Sequence, residues 1–432
     1  MRGCVLVLMA LYLPCWAQEP LRLSFVEIER TFLTQNLALL AERYAVDIAE
    51  AQIAQAKVWD NPELSISDFN VWAPSKYRDE VGGSPMIGRT GRQVTFAAEL
   101  SQVIQTAGKR SKLVAMHRVE RDMAVKQFED LLRGLKFELR KSLQELAYLE
   151  ASREVLLAQE KALKELIEVY GRQVEMGNLP KGELVRLQAA LFEIEGSLNE
   201  TSAEQCEHNT ALRVLLSLPP TNKIEVAFSA MEYPALGTDA LTDLLVTMMA
   251  NRPDVNLSEK QMEYFAKAVA REKSMRYPDV TVGVGYNRID GLYPNFFGLS
   301  VSVPLPIFDR NKGGIREAQM SHAQSVRLAE HQRRIAENEV AHALAGYRRA
   351  HDFYERATQN PLLKDLDDML DVYVKNLLSR NISIVEYMDF LEVYKDTRQS
   401  VLDARKNMAL QFEELQFAVG IEIKRGQEVM AH

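Results

Sequence analysis

Apolar positions along this chain keep two different periods, and the change between them divides it. Phe128, Leu132, Leu135, Leu139, Leu143 and Leu146 recur at a mean spacing of ~3.6, the period of a nearly straight helix rather than of a tightly supercoiled heptad. No proline falls between Pro85 and Pro180, or after Pro361. The pattern predicts a helix over residues 111–176, which at about 1.5 Å per residue would reach roughly 100 Å. Elsewhere the period is two. Val280, Val282, Val284 and Tyr286 alternate with Thr281, Gly283, Gly285 and Asn287, and Phe297, Leu299, Val301 and Val303 alternate with Gly298, Ser300 and Ser302. These read as two strands of a hairpin turning at Asp290-Gly291. A second pair is predicted at residues 64–72, with a slip near Asp68 that suits a bulge, and at residues 94–100, where Val94, Phe96, Ala98 and Leu100 alternate. A longer connection rich in Gly and Pro, residues 73–92, joins that pair.

The two halves repeat each other. At an offset of 203, Ile104 matches Ile307, Lys109 matches Lys312, Ala115 matches Ala318, Tyr170 matches Tyr373, Asn178 matches Asn381 and Glu183 matches Glu386. At an offset of 216, Lys57 and Pro62 match Lys273 and Pro278. The difference falls in the longer connection of the first strand pair, so each half reads helix, two strands, very long helix, turn, helix. Self-similarity over such a distance indicates tandem duplication. The expected organisation is a signal at 1–17, a first repeat at 18–217, a linking region at 218–240, a second repeat at 241–420 and a tail at 421–432.

Charge and targeting narrow the setting. The 52 basic and 60 acidic residues give a net charge of −8, which leaves no basic excess for nucleic acid. Arg2, an apolar run over 3–13 and small residues flanking Trp16 before Gln18 suit an export signal cleaved after Ala17. Pro14 before Cys15 argues against lipidation there. Cleavage would leave Cys206 as the sole cysteine, so no disulfide could form within the chain. No later stretch has the 18 or so consecutive apolar residues of a membrane helix. An exported chain that enters a membrane must then do so as strands closed into a barrel. Four strands of about nine residues can cross a bilayer when tilted but cannot close, so several copies would have to pool them. Trp59, Phe69, Trp72, Tyr286, Tyr293 and Phe296 near the strand ends suit an interfacial belt, or the core of a soluble strand pair packed on helices.

Three segments resemble the TolC-like outer-membrane factors, the exit ducts of bacterial efflux and secretion systems. Leu21-Arg22-Leu23-Ser24-Phe25-Val26-Glu27 is similar to that family's first helix, and Asn61-Pro62-Glu63-Leu64 to its entry into the first strand. Pro304-Leu305-Pro306-Ile307-Phe308-Asp309-Arg310-Asn311-Lys312-Gly313 is similar to the segment before its second long helix, above all in the heavy-metal efflux branch. The resemblance implies a mainly α fold with a small β part: a homotrimer whose four strands per chain form a 12-stranded barrel in outer-membrane lipid, continued by an α-helical barrel in the periplasm. It also implies an equatorial region near 218–240 and, as partners, a periplasmic adaptor and an inner-membrane pump of the RND type. Type I protein secretion is an alternative use of the same duct, and a periplasmic coiled-coil scaffold an alternative of another class. Two departures stand out. Pro361 falls inside the second long helix and should kink or break it, and Pro180 stands at the first tip where the family often has Ser or Thr.

The resemblance places a periplasmic gate at Glu386 and Asp389 after the second tip. Three residues apart, they share a helix face, and three copies around an axis would stack carboxylate rings. Ser383-Ile384-Val385-Glu386 is also a capping box, which would give Glu386 a structural task. The tips, Gly177, Asn178 and Leu179 in one half and Arg380, Asn381 and Ile382 in the other, are expected to meet the adaptor, while Gly177 also suits a helix C-cap. No nucleophile is paired with a base, and Gly283-Val284-Gly285 precedes no helix, so neither enzyme chemistry nor a cofactor is expected. His322, His331, His342 and His351 are spaced 9, 11 and 9 apart, which excludes an i, i+4 zinc pair, and Met248-Met249 suit packing.

Overall fold

The computed structural model describes residues 21–67, 95–222, 224–227, 233–237, 240–289 and 293–423. The expected signal and Cys15, the aromatics Phe69 and Trp72, the bulge near Asp68, the connection 73–92, Val94, the Asp290-Gly291 turn, part of the region 218–240 and most of the tail lie outside these residues.

In chain order the elements are β1 (Leu21–Ser24), α1 (Phe25–Gln35), α2 (Leu37–Lys57), β2 (Glu63–Ser67), β3 (Thr95–Ile104), α3 (Lys109–Glu175), α4 (Lys181–Leu215), β4 (Ile224–Ala227), α5 (Ala240–Asn251), α6 (Pro253–Ser274), β5 (Val280–Ile289), β6 (Tyr293–Ser302), α7 (Lys312–Thr358), α8 (Leu362–Leu378) and α9 (Ile384–Val419). The uninterrupted 3.6 period becomes the 67 residues of α3. Pro361 breaks its counterpart into α7 and α8: it caps α8, and Asn360 Oδ1 accepts the Leu362 N–H at 3.0 Å, because proline has no N–H to offer the preceding turn.

One expectation is corrected at the start. Residues 21–24 form a strand rather than the first turn of a helix, paired in parallel with β4 from Leu21↔Ile224 to Ser24↔Ala227. Helix α1 begins only at Phe25. Ser24 caps it, with Glu27 Oε2 accepting the Ser24 N–H at 2.8 Å. The partner strand lies some 200 residues away, so no local pattern announces the pairing.

The chain divides into two compact units, each drawn from both halves of the duplication. The unit of residues 42–130 and 253–336 contains the antiparallel sheet β2-β3-β5-β6. The duplication extends to register: Ile66↔Ala98 and Val282↔Val301 are equivalent pairs under the two offsets. Opposed residues share a face, and the faces differ sharply. On one, Leu64, Leu100, Val284 and Leu299 form a continuous row, with Leu64 63% and Leu299 83% exposed. On the other lie Glu63, Ser101, Gly283 and Ser300, beside Ser65 and Glu99. Ser300 Oγ donates to Glu99 Oε1 at 2.5 Å. A Cβ on Gly283 would lie 2.5 Å from both of those oxygens, so the glycine at this polar-face position leaves room for the bond between them. Strands β2 and β6 are the sheet's two edges.

The unit of residues 1–41, 131–252 and 337–432 buries Ile28 and Phe32 of α1, Leu139 and Leu143 of α3, and Tyr347 and Phe412, whose ring centroids are 5.2 Å apart. Arg140 is buried within it. Its Nε donates to Glu29 Oε1 and its Nη2 to Glu422 Oε1, both at 2.7 Å, while Glu413, 1% exposed, lies 3.6 Å from Nη1. Burial opposes the guanidinium's charge, and Glu413, Glu29 and Glu422 outweigh it, raising its pKa. Replacing Arg140 by Met should strand the Glu413 carboxylate and cost about 3–5 kcal/mol, read as a lower melting temperature in detergent. Adding Glu413→Gln should restore part of the loss.

A candidate gate at two helix turns

The turns between α3 and α4 and between α8 and α9 are the same structure built twice with different side chains. In the first, the Gly177 N–H donates to Val174 O at 3.0 Å and the Asn178 N–H to Gln173 O at 2.9 Å. In the second, the Arg380 N–H donates to Leu377 O at 3.0 Å and the Asn381 N–H to Asn376 O at 2.8 Å. This is the bond pattern of a Schellman closure, which needs a left-handed residue at its centre. Gly177 supplies it freely at φ 75°. Arg380 adopts φ 61° with a side chain attached, at a cost of roughly 1–2 kcal/mol. Its Nη2 donates to Asn178 O at 3.2 Å, tying one turn to the other.

The six tip residues separate by exposure. Gly177, Asn178, Arg380 and Asn381 are exposed. Leu179 and Ile382 are half-buried and fold back on a core of Leu163, Leu166, Tyr170, Leu187, Ile384 and Tyr387. These two are therefore apolar anchors of the turns, and the exposed surface belongs to the four polar or backbone-rich positions.

The helices leaving the turns start differently. Pro180 caps α4 without a side-chain bond. Ser383 caps α9 through a complete box: Glu386 Oε2 accepts the Ser383 N–H at 2.7 Å, and Ser383 Oγ accepts the Glu386 N–H at 3.2 Å. The bonds from Ser383 hold the Glu386 pKa below the usual carboxylate range. Asp389, one turn further on, is exposed and forms no hydrogen bond or ion pair with the described residues. Of the expected acidic pair, one carboxylate is committed to its helix end and the other is open to solvent.

Sequence reasoning passed over Tyr387. It is fully buried, its Oη has no hydrogen-bond partner among the described residues, and burial beside Tyr170 pushes its pKa up to about 12. The spacing of Ile384, Tyr387 and Leu391 was the signal that marked it as core. Among the described residues no group of three or more His, Cys, Asp or Glu could hold a metal ion, and no helix is long and apolar enough to cross a membrane.

Comparison with known proteins places this architecture. The outer membrane efflux protein family matches residues 30–217 and 244–421. The chain is 25% identical over 303 residues to the cobalt-zinc-cadmium resistance protein CzcC of Cupriavidus metallidurans, covering 68% of this chain and 66% of CzcC. It is 26% identical over 292 residues to the nickel and cobalt resistance protein CnrC of the same organism, covering 66% and 65%. The matches thus span about two thirds of the length of these curated relatives. The crystal structure of CusC superposes with a TM-score of 0.73 at 17% identity, over 91% of both chains. The outer membrane channel CmeC of Campylobacter jejuni gives 0.73 at 14% identity, over 91% of this chain and 85% of CmeC.

The caps make a pH-dependent prediction. Because the folded pKa of Glu386 is depressed, its contribution to α9 is present above the ordinary carboxylate value and is lost as the pH falls through the depressed one. Amide protection at Ser383 and Glu386, measured against the intrinsic exchange rate at each pH, should hold to pH values below 4.5 and then fall. Ser383→Ala keeps the backbone N–H that Glu386 accepts but removes the hydroxyl, so it should weaken the transition without abolishing it and cost about 0.5–2 kcal/mol.

Proposed function

We propose that this chain, which belongs to the outer membrane efflux protein family, works as the passive exit duct of a tripartite efflux system carrying divalent metal cations to the exterior. One observation carries the reading: an exposed aliphatic row backs directly onto a polar face in a sheet with two open edges. The aliphatic face suits lipid and the polar face suits a water-filled lumen. Edges are untenable in lipid, so β6 of one copy would meet β2 of the next, and three copies would close 12 strands.

The helices would then lie in the periplasm as the two repeats of a helical barrel, linked near residues 218–240. Gly177, Asn178, Arg380 and Asn381 offer the surface for a periplasmic adaptor, with Leu179 and Ile382 holding that surface in place. An inner-membrane pump, of the RND type, supplies the energy, so the chain itself needs no catalytic group and no cofactor. The metal cargo is supported by the metal-resistance relatives. Asp389 is the better gate residue, since three open carboxylates around an axis attract cations and repel one another, whereas Glu386 is occupied by Ser383.

Deleting the gene should sensitise its host to cobalt, zinc, nickel or cadmium, with complementation by the intact chain. Unchanged metal tolerance together with lost export of a protein would assign the duct to secretion instead. In planar bilayers Asp389→Asn should raise the resting conductance of the trimer, and an unchanged conductance would remove Asp389 from the gate.

A further inference from the structure

At the end of the sheet where β2 begins and β3 ends there is a cavity of about 460 Å³ lined by Lys57, Trp59, Asp60, Gln105, Arg110 and Arg118, among others. Its charge is unbalanced. Asp60 is the one carboxylate in the lining, and its Oδ2 accepts a bond from Gln105 Nε2 at 3.0 Å. Lys57, Arg110 and Arg118 form no ion pair within 4 Å among the described residues. The Arg110 guanidinium lies over the Trp59 ring, 3.7 Å from its centroid. Its Nη1 is cut off from solvent and has no acceptor. A buried cationic N–H without an acceptor is costly, and the indole face compensates only part of that charge. Lys57 and Arg118 are exposed and Arg110 is half-buried, so the lining presents a cationic excess open to a ligand from solvent.

The surroundings indicate what kind of anion. Val58, Trp59, Leu64 and Ile104 are exposed apolar residues at this same end of the sheet, with Val58 58% and Trp59 57% exposed. A cationic cavity beside an exposed apolar surface matches an amphiphile rather than a free ion, and Trp with basic residues is the usual chemistry of a membrane–water boundary. The duplicated architecture does not require the cluster: Trp59, Arg110 and Arg118 correspond in the second half to Met275, Gly313 and Ser321.

We infer that this cavity binds the phosphate of an anionic glycerophospholipid headgroup at the periplasmic boundary of the membrane, with Arg110 and Arg118 on the phosphate oxygens, Lys57 at the rim and the acyl chains along the exposed apolar face. The inference rests on the reading that the sheet lies in lipid. Native mass spectrometry of the detergent-extracted trimer tests it, using phosphatidylglycerol and phosphatidylcholine with identical acyl chains and, in a separate arm, inorganic phosphate. Phosphatidylglycerol should be retained at least ~10-fold more strongly than phosphatidylcholine. Both Arg110→Gln/Arg118→Gln and Lys57→Gln/Arg118→Gln, the latter leaving the Arg110–Trp59 contact intact, should abolish that preference, and Arg327→Gln at a distant exposed position should preserve it.

Equal retention of the two lipids, unchanged retention by both double variants, or displacement by inorganic phosphate at matched concentration would overturn the lipid assignment. Failure to recover any trimer would refute the duct reading and this site together, whereas a trimer without lipid preference refutes the site alone.

Discussion

A strand in hydrocarbon has no water to satisfy its backbone, so every N–H and C=O must find a partner in a neighbouring strand. The sheet β2-β3-β5-β6 meets that demand at its three internal ladders and leaves it unmet along β2 and β6. Its side chains sharpen the conflict, because the row Leu64–Leu100–Val284–Leu299 belongs in an apolar medium while Glu99 and Ser300 on the reverse belong in water. Assembly around a polar lumen reconciles the two faces, and the proposed conduit, its cargo path and its gate all descend from that requirement.

Duplication gives the chain a second copy of each device and lets the copies diverge. The turns after α3 and α8 share one hydrogen-bond pattern, yet glycine meets the left-handed position in one and an arginine in the other. The arginine's guanidinium reaches across to the Asn178 carbonyl. The helices beyond diverge likewise: proline opens α4, and a serine–glutamate box opens α9. In consequence Glu386 is bound to structure while Asp389 stays free. The same divergence leaves the uncompensated cations beside Trp59 in one half only, which turns a repeated scaffold into a site with its own ligand chemistry.

Charge is used in opposite ways in the two units. Arg140 is buried but surrounded by Glu29, Glu413 and Glu422, so its burial fixes α1, α3 and α9 around a satisfied guanidinium. Arg110 has an aromatic face and no acceptor for Nη1. A buried cation with partners is architecture, whereas the half-buried Arg110, with one sealed N–H that lacks an acceptor, is where the proposed ligand would bind.

Much of this was legible in the chain itself. The 3.6 period gave α3 to within two residues at each end, alternation gave β3, β5 and β6, Pro361 gave the break between α7 and α8, and the offsets of 203 and 216 gave equivalent strands and turns. The Ser383–Glu386 box was equally plain. Apart from the repeat offsets, which compare one half of the chain with the other, these are local quantities, set by backbone sterics and side-chain spacing within a few residues. What the sequence could not decide were encounters between distant segments: the parallel pairing of residues 21–24 with β4, the bond from Arg380 to Asn178, the three carboxylates around Arg140 and the cations around Trp59. Each depends on which surfaces meet when the apolar faces are buried, and that free energy is a sum over the whole packed unit rather than a property of any one stretch of chain.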